Sequence, residues 1–332
     1  MALFTRLGDP ELADIAGTFE LGAVRGARAI AAGTINSNYA IETERGPWFV
    51  RVNEGKAEAD VAWEAQLVAA LAAGGVVTPP PVVARDGRPY APLGATGKWV
   101  SVFPWRAGGH LGPAEITAEI AGEFGAALAS LHRTGLDLPV GWRRSSIYDH
   151  AHLVARHAGF AASGDPALAR AIEVLREELA AASAASPVRD RAAHGMIHGD
   201  LFRDNVLWHA GRLVAILDFE QASGGSFAYD LAVCLNDWCW QPAGEAPNTS
   251  GAVRIDLAAA LIAGYQRVRP LTAADREALL VEVRAAAARF TITRITDVYL
   301  AKVENPEKDF RAFLARCDAW RGPALGQLSL VL

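Results

Sequence analysis

His198-Gly199-Asp200-Leu201-Phe202-Arg203-Asp204-Asn205, followed downstream by Leu217-Asp218-Phe219, is the stretch on which the reading of this chain turns. It places three oxygen-bearing side chains at fixed separations: Asp200 and Asn205 are five positions apart, Asn205 and Asp218 thirteen. Taken singly, each is a common turn former or helix cap. Taken with His198 and the apolar residues Val206, Leu207, Trp208, Leu213, Val214, Ile216 and Leu217 between them, they form a short loop and a β-like hairpin that carry chemistry as a group.

The rest of the chain narrows the setting. Its 332 residues are 51% hydrophobic and 21% charged, with a mean hydropathy of +0.13, which describes a globular chain of about two domains or lobes. Thirty-two basic against thirty-seven acidic residues leave a net charge of −5, so nothing draws the whole molecule to nucleic acid or an anionic membrane. Cys234, Cys239 and Cys317 are odd in number and form no C-x-x-C pair, which fits core residues in a reduced cytoplasm. Arg6, Asp9 and Glu11 stand where an export signal would need an apolar run. The charge-free window from Ala65 to Ala84 is cut by Gly74-Gly75 and Pro79-Pro80-Pro81, so it reads as helix, turn and strand, not as a membrane span.

The first hundred residues are rich in strand signals. Asn38–Thr43 and Trp48–Asn53 alternate around Glu44-Arg45-Gly46-Pro47, a helix is expected over Lys56–Ala73, and Pro81–Ala84 and Lys98–Phe103 read as two more strands. Beyond Phe103-Pro104-Trp105 the composition turns to alanine-rich helical segments over Ile116–Arg133, Leu168–Ala185, Ile255–Val268 and Ala273–Tyr299. The expectation is an α+β, bilobal fold, with a β-rich N-terminal lobe over 1–104 and a mainly helical C-terminal lobe over 105–332.

A phosphoryl-transfer loop of the type H-x-D-x-x-x-x-N, followed by an Asp-Phe pair, needs the spacing found at His198–Asn205 and Asp218-Phe219. In that pattern Asp200 is the base facing a hydroxyl acceptor, and Asn205 and Asp218 are hard oxygen ligands for Mg²⁺ beside the phosphates of ATP. HGDLFRDN with LDFE, the Tyr229-Asp230-Leu231-Ala232 that follows, and Leu131-His132 together resemble the aminoglycoside phosphotransferase and choline kinase superfamily, relatives of the protein kinases. Gly33–Tyr39, Tyr229–Trp238, Arg289–Leu300 and Pro306–Phe310 resemble the bacterial homoserine kinases within it.

The resemblance implies a protein-kinase-like fold over nearly the whole chain and a further set of roles. Asn36, Ser37 and Asn38 would cover the nucleotide phosphates. Arg51 would stand in for the usual strand lysine, gripping phosphate with its fork, and pair with Glu64 on the next helix. His198 would fix the loop and Asp230 would brace it from a helix start. Arg203 occupies a position where the family usually has Pro, a change that bears on loop rigidity or adds a cation. Asp204 reads as a solvated or capping residue.

The acceptor is a small molecule with a hydroxyl. For homoserine, Arg294 would fork the carboxylate, with Asn236 or Asp237 near the ammonium. A choline-like acceptor would use Trp238, Trp240 and Tyr229 as a cation–π cage. An aminoglycoside would need a strongly acidic cleft, and Gln241–Ser250 contains one acid, Glu245. A nucleotide-binding pseudokinase is the alternative of a different class, opposed by the intact Asp200, Asn205 and Asp218.

Overall fold

The computed structural model describes residues 5–30, 36–244 and 250–332. Two compact units make up the chain: Met1–Gly108 with Val214–Glu220, and Gly109–Leu213 with Gln221–Leu332.

The first unit begins with α1 (Asp9–Thr18), whose first turn carries Pro10 and the acids Asp9 and Glu11, as a helix N-terminus favours. Strands β1 (Val24–Ile30), β2 (Ser37–Thr43) and β3 (Gly46–Asn53) precede α2 (Glu58–Ala73), and β4 (Ala91–Pro92) and β5 (Trp99–Pro104) complete an antiparallel sheet of order β1-β2-β3-β5-β4. Alternation sets its two faces. Tyr39, Ile41, Val50, Val52, Val100 and Val102 join Leu12 and Ile15 of α1, and Phe19 just after it, in one buried cluster. In register, Arg51 lies opposite Asn38 on one side and Ser101 on the other.

Two expectations change here. Pro81–Ala84 is not a strand: Pro79, Pro80 and Pro81 supply no N–H donors, and the segment attaches through Val82 N to Val102 O (2.8 Å) and Ala84 N to Arg88 O (2.8 Å). Strand β1 and helix α1 were not anticipated. Val24–Ile30 (VRGARAI) has an exposed interior and so shows no apolar alternation.

The second unit is mainly helical: α3 (Ala118–Asp137), α4 (His150–Ala161), α5 (Ala169–Ala184) and the single turn α6 (Ser186–Arg189) precede β6 (His194–Ile197) and β7 (Val206–His209). Strand β8 (Arg212–Ile216) carries the chain from the second unit into the first, and β9 (Ser223–Ser226) returns to pair with β6. Then come α7 (Phe227–Trp238), the ribbon β10 (Trp240–Pro242) with β11 (Gly251–Val253), α8 (Ile255–Val268), α9 (Ala273–Arg294), α10 (Phe310–Arg321) and α11 (Pro323–Val331). The expected single helix over Ala273–Tyr299 stops being α-helical at Arg294, and Ile295–Tyr299 forms a wider π turn. Gly224-Gly225-Ser226 belongs to β9.

Helices α3 and α8 touch through glycine. A Cβ on Gly264 would stand 2.0 Å from Gly122 O, and one on Gly125 would stand 2.1 Å from Leu261 O. Both distances are well inside van der Waals contact with rigid backbone. Gly264→Ala is therefore expected to destabilise the protein by about 1–3 kcal/mol through overpacking. Urea unfolding of the variant beside the parent checks this, and an unchanged midpoint would mean that the helices are not held at this spacing.

Candidate active site

One face of α7 makes several of the hydrogen bonds that hold the loop His198–Asn205. Asp230 Oδ2 accepts from His198 N (2.9 Å) and Oδ1 from Gly199 N (2.8 Å). Leu201 O accepts from Trp238 Nε1 (3.3 Å) and Cys234 Sγ (3.6 Å). Asp237 Oδ2 accepts from Arg203 N (2.9 Å). Residues 230, 234, 237 and 238 are spaced i, i+4, i+7 and i+8, so they share a stripe along the helix. Within the loop Gly199 has φ +77 and faces Gln221 O, a conformation a side chain would strain.

Asp230 takes a third donor. His132 Nε2 lies 2.9 Å from Oδ2, and the other ring nitrogen is 2.7 Å from Tyr265 Oη. A carboxylate only accepts, so Nε2 carries the proton and Nδ1 accepts from the tyrosine hydroxyl. Burial alone would raise the Asp230 pKa, but the bond to His132 and the His198 N–H hold it below the usual carboxylate value. For His132 burial prevails over the attraction of Asp230, and its pKa is lowered, so the ring is neutral. The unit is thus an ionised aspartate fed by neutral donors.

Asp200, one-third exposed at its side chain, follows this brace. Its carbonyl accepts from Asn205 Nδ2 (2.8 Å), which fixes the amide so that Oδ1 is its remaining acceptor. Arg289 of α9 places Nη1 3.3 Å from Asp200 Oδ1. That guanidinium is 4% exposed, 4.2 Å from the Tyr148 ring centre and 3.7 Å from that of Phe290, and its buried Nε has no hydrogen-bond partner among the described residues.

The first unit holds a second charged cluster. Arg51 Nη1 is 2.9 Å from Glu64 Oε1 and 3.6 Å from Glu220 Oε1, and Nη2 is 3.8 Å from Asp218 Oδ1. Lys56 Nζ is 2.9 Å from Glu64 Oε2 and 3.1 Å from Glu220 Oε1. Burial opposes the Arg51 charge, but Asp218, Glu64 and Glu220 outweigh it and raise its pKa. Oxygens of Glu64, Asp218 and Glu220 lie within 4.8 Å of one another, a hard donor set suited to a divalent cation. Asp218 is the most exposed of the three and has φ +62, a left-handed strain of the kind that collects at functional sites.

The Arg51–Glu64 pairing expected from the resemblance is present. Of the expected phosphate loop, Gly33, Thr34 and Ile35 lie outside the described residues. Asn36 donates through Nδ2 to Glu220 Oε1 and accepts from Glu54 N, while Ser37 donates to Glu54 Oε1 (2.7 Å). Asn38 sits on β2 opposite Arg51.

Among the acceptor residues the structure makes corrections. Asn236 is 1% exposed; its amide donates to Ala232 O and Val283 O and accepts from Trp320 Nε1, leaving no group for a substrate ammonium. Trp238 is 1% exposed and stacked on Phe124 at 3.8 Å, and Trp240 is buried with Arg316 at 4.5 Å from its ring centre, so neither face is open for a cation–π cage. Tyr229 is half-buried on α7. Asp237 is committed to Arg203, through Nε (3.0 Å) and Nη2 (3.2 Å) as well as the backbone bond. This answers the question of Arg203: it stiffens the loop, and its charge is spent there. Arg294 donates Nη1 to Asp309 O (3.2 Å) and lies against Phe313; burial lowers its pKa to about 10. Asp204 is exposed. Glu245 lies outside the described residues.

Sequence reasoning missed Lys56, Glu220 and Arg289, since nothing local in the sequence marks a partner eight, 169 or 89 positions away. Among the described residues no helix is long and apolar enough to cross a membrane.

Solved structures of the same fold come from the kinase-like phosphotransferases. An amicoumacin kinase, solved with AMP-PNP, Ca²⁺ and amicoumacin, aligns at TM-score 0.70 and 14% identity over 93% of this chain and 92% of that one. A spectinomycin phosphotransferase, solved with ADP and spectinomycin, aligns at TM-score 0.67 and 12% identity over 98% of each chain. Residues 26–271 match the phosphotransferase enzyme family, and the chain belongs to it. It is 37% identical over 299 residues to a homoserine kinase of Methylobacterium radiotolerans, covering 90% of this chain and 88% of the relative. It is 36% identical over 301 residues to a homoserine kinase of Gluconacetobacter diazotrophicus, covering 90% and 89%.

Two predictions follow from the brace. Asp230→Asn replaces an acceptor-only group at a site where three donors converge, and should cost about 3 kcal/mol in urea unfolding. His132 is neutral when folded and takes a proton on unfolding below its ordinary value of 6.5, so stability should fall as pH drops from 7 towards 5.5. The contribution approaches about 1.4 kcal/mol per pH unit. His132→Asn should remove that slope, measured by unfolding at several pH values.

Proposed function

We propose that this phosphotransferase carries the γ-phosphate of ATP to the side-chain hydroxyl of L-homoserine, giving O-phospho-L-homoserine for threonine biosynthesis in the cytoplasm. The observation that carries the reading is the likeness to curated homoserine kinases over nine-tenths of the chain, joined to an intact Asp200 and Asn205 on a fully braced loop. The buried faces of Trp238 and Trp240 weigh against a choline-like acceptor.

Phosphoryl transfer asks a protein mainly for positioning and charge stabilisation. In this reading Asp200 orients the acceptor hydroxyl and takes its proton, a contribution of about 10²–10⁴-fold for a positioned base. Arg51, set by Glu64, grips phosphate oxygens, with Asn38 beside it in the sheet. Mg²⁺ would be held by Asn205 Oδ1 and the Asp218 carboxylate, and when bound it neutralises charge on the phosphates. The oxygen character of both groups, the partly exposed Asp218 side chain and its left-handed backbone fit that ion.

The test is ADP release by the purified protein with Mg-ATP and, in turn, homoserine, choline and an aminoglycoside. Homoserine should give turnover well above the ATPase background; turnover with another acceptor alone would overturn the assignment. Asp200→Asn should lower kcat by at least about 10²-fold. It should still show a thermal shift with Mg-nucleotide, and loss of that shift would mean Asp200 serves binding instead.

A further inference from the structure

We infer that Arg289 is the specificity-determining residue that receives the α-carboxylate of the acceptor, making the site selective for hydroxy amino acids over amino alcohols. This rests on the acceptor class proposed above. The geometry starts from an incomplete guanidinium. Nη1 is engaged by Asp200 Oδ1 at 3.3 Å, yet Nε is buried without a hydrogen-bond partner among the described residues, and the group is 4% exposed. Buried donors without acceptors are rare and costly, so one beside the reacting base calls for an explanation.

The shape of the fork supplies one. Arginine takes a carboxylate side-on through Nε and one terminal nitrogen, and Nη1, held by Asp200, lies at the far edge from that pair. The guanidinium therefore keeps its Nε donor unused for a second carboxylate while it still neutralises the first. Tyr148 at 4.2 Å and Phe290 at 3.7 Å from Cζ fix its plane, so little freedom is lost on binding.

Reach and charge agree. In homoserine only a short carbon chain separates the hydroxyl that Asp200 must approach from the carboxylate, so a receptor adjoining Asp200 lies within span of both. Without a cation there, Asp200 and the acceptor carboxylate would repel each other at close range. Arg294, the earlier expectation for this role, has Nη1 committed to Asp309 O.

The experiment compares kcat/KM for homoserine with that for 3-aminopropan-1-ol, which is homoserine without its carboxylate. Arg289→Gln should collapse the ratio by about 10–100-fold, the range for a lost charge-assisted fork. Arg289→Lys keeps the charge and loses the fork; it should lower the ratio by about 10-fold, mainly through KM, and serves if the glutamine variant does not fold. A fall in kcat for both acceptors with the ratio unchanged would show that Arg289 only positions Asp200 or touches the transferred phosphoryl group, and would overturn the inference. Collapse of the ratio in Arg294→Gln but not at Arg289 would also overturn it. A parent enzyme inactive on homoserine but active on another acceptor would instead sink the proposed function, and this inference with it.

Discussion

The loop that carries Asp200 and Asn205 depends on one buried carboxylate. Asp230 is fully enclosed, and burial by itself would expel its charge or neutralise it. It stays ionised because three donors meet it: the His198 and Gly199 amides and the neutral His132 ring. The arrangement links four pieces of the second unit through a single group. α7 supplies the aspartate, the loop supplies the amides, α3 supplies His132, and α8 supplies Tyr265, whose hydroxyl fixes the imidazole tautomer. The glycine contact of α3 with α8 brings those two donors close enough to act in series. Loop geometry is thereby tied to helix packing.

Charge is handled locally throughout, and a whole-chain sum of −5 conceals it. In the first unit, Arg51 and Lys56 face Glu64, Asp218 and Glu220, two cations against three carboxylates. The carboxylate oxygens of Glu64, Asp218 and Glu220 lie within 4.8 Å of one another, a hard donor set of the kind that divalent cations take. In the second unit Asp237 and Arg203 satisfy each other, whereas Asp200 and Arg289 do so only in part. The incompletely satisfied pair is the one that contains the proposed base.

How legible this was in the sequence depended on the distance over which each signal acts. The alternating strands around Arg51, the helix α2 with Glu64 and the loop with Asp200 and Asn205 follow from local pattern and spacing, and all were readable. Strand β1 was not, because its exposed residues carry no alternation, and its place is set by pairing with β2. Asn236 and Trp238 looked available for a substrate because polar and aromatic residues near a catalytic motif invite that reading. Their actual partners, Val283, Trp320 and Phe124, lie far away in sequence. Arg289 was passed over for the opposite reason: an arginine inside a long helix gives no local sign that its guanidinium is buried.

Arg203 shows how the same requirement can be met by different physics. The proline that the resemblance implies at this position would stiffen the loop covalently, by fixing φ in folded and unfolded chain alike. This chain instead stiffens it with a guanidinium that grips Asp237 at two points while the backbone amide takes a third. Burial works against the charge on both partners, but each outweighs it for the other: the Arg203 pKa is raised and the Asp237 pKa lowered. Because the pair is buried, salt screens it far less than it would a surface pair. The exchange has a consequence for recognition. A free arginine so near Asp200 would offer a competing anion site, and neutralising Arg203 against Asp237 leaves Arg289 as the cation that, among the described residues, touches the proposed base.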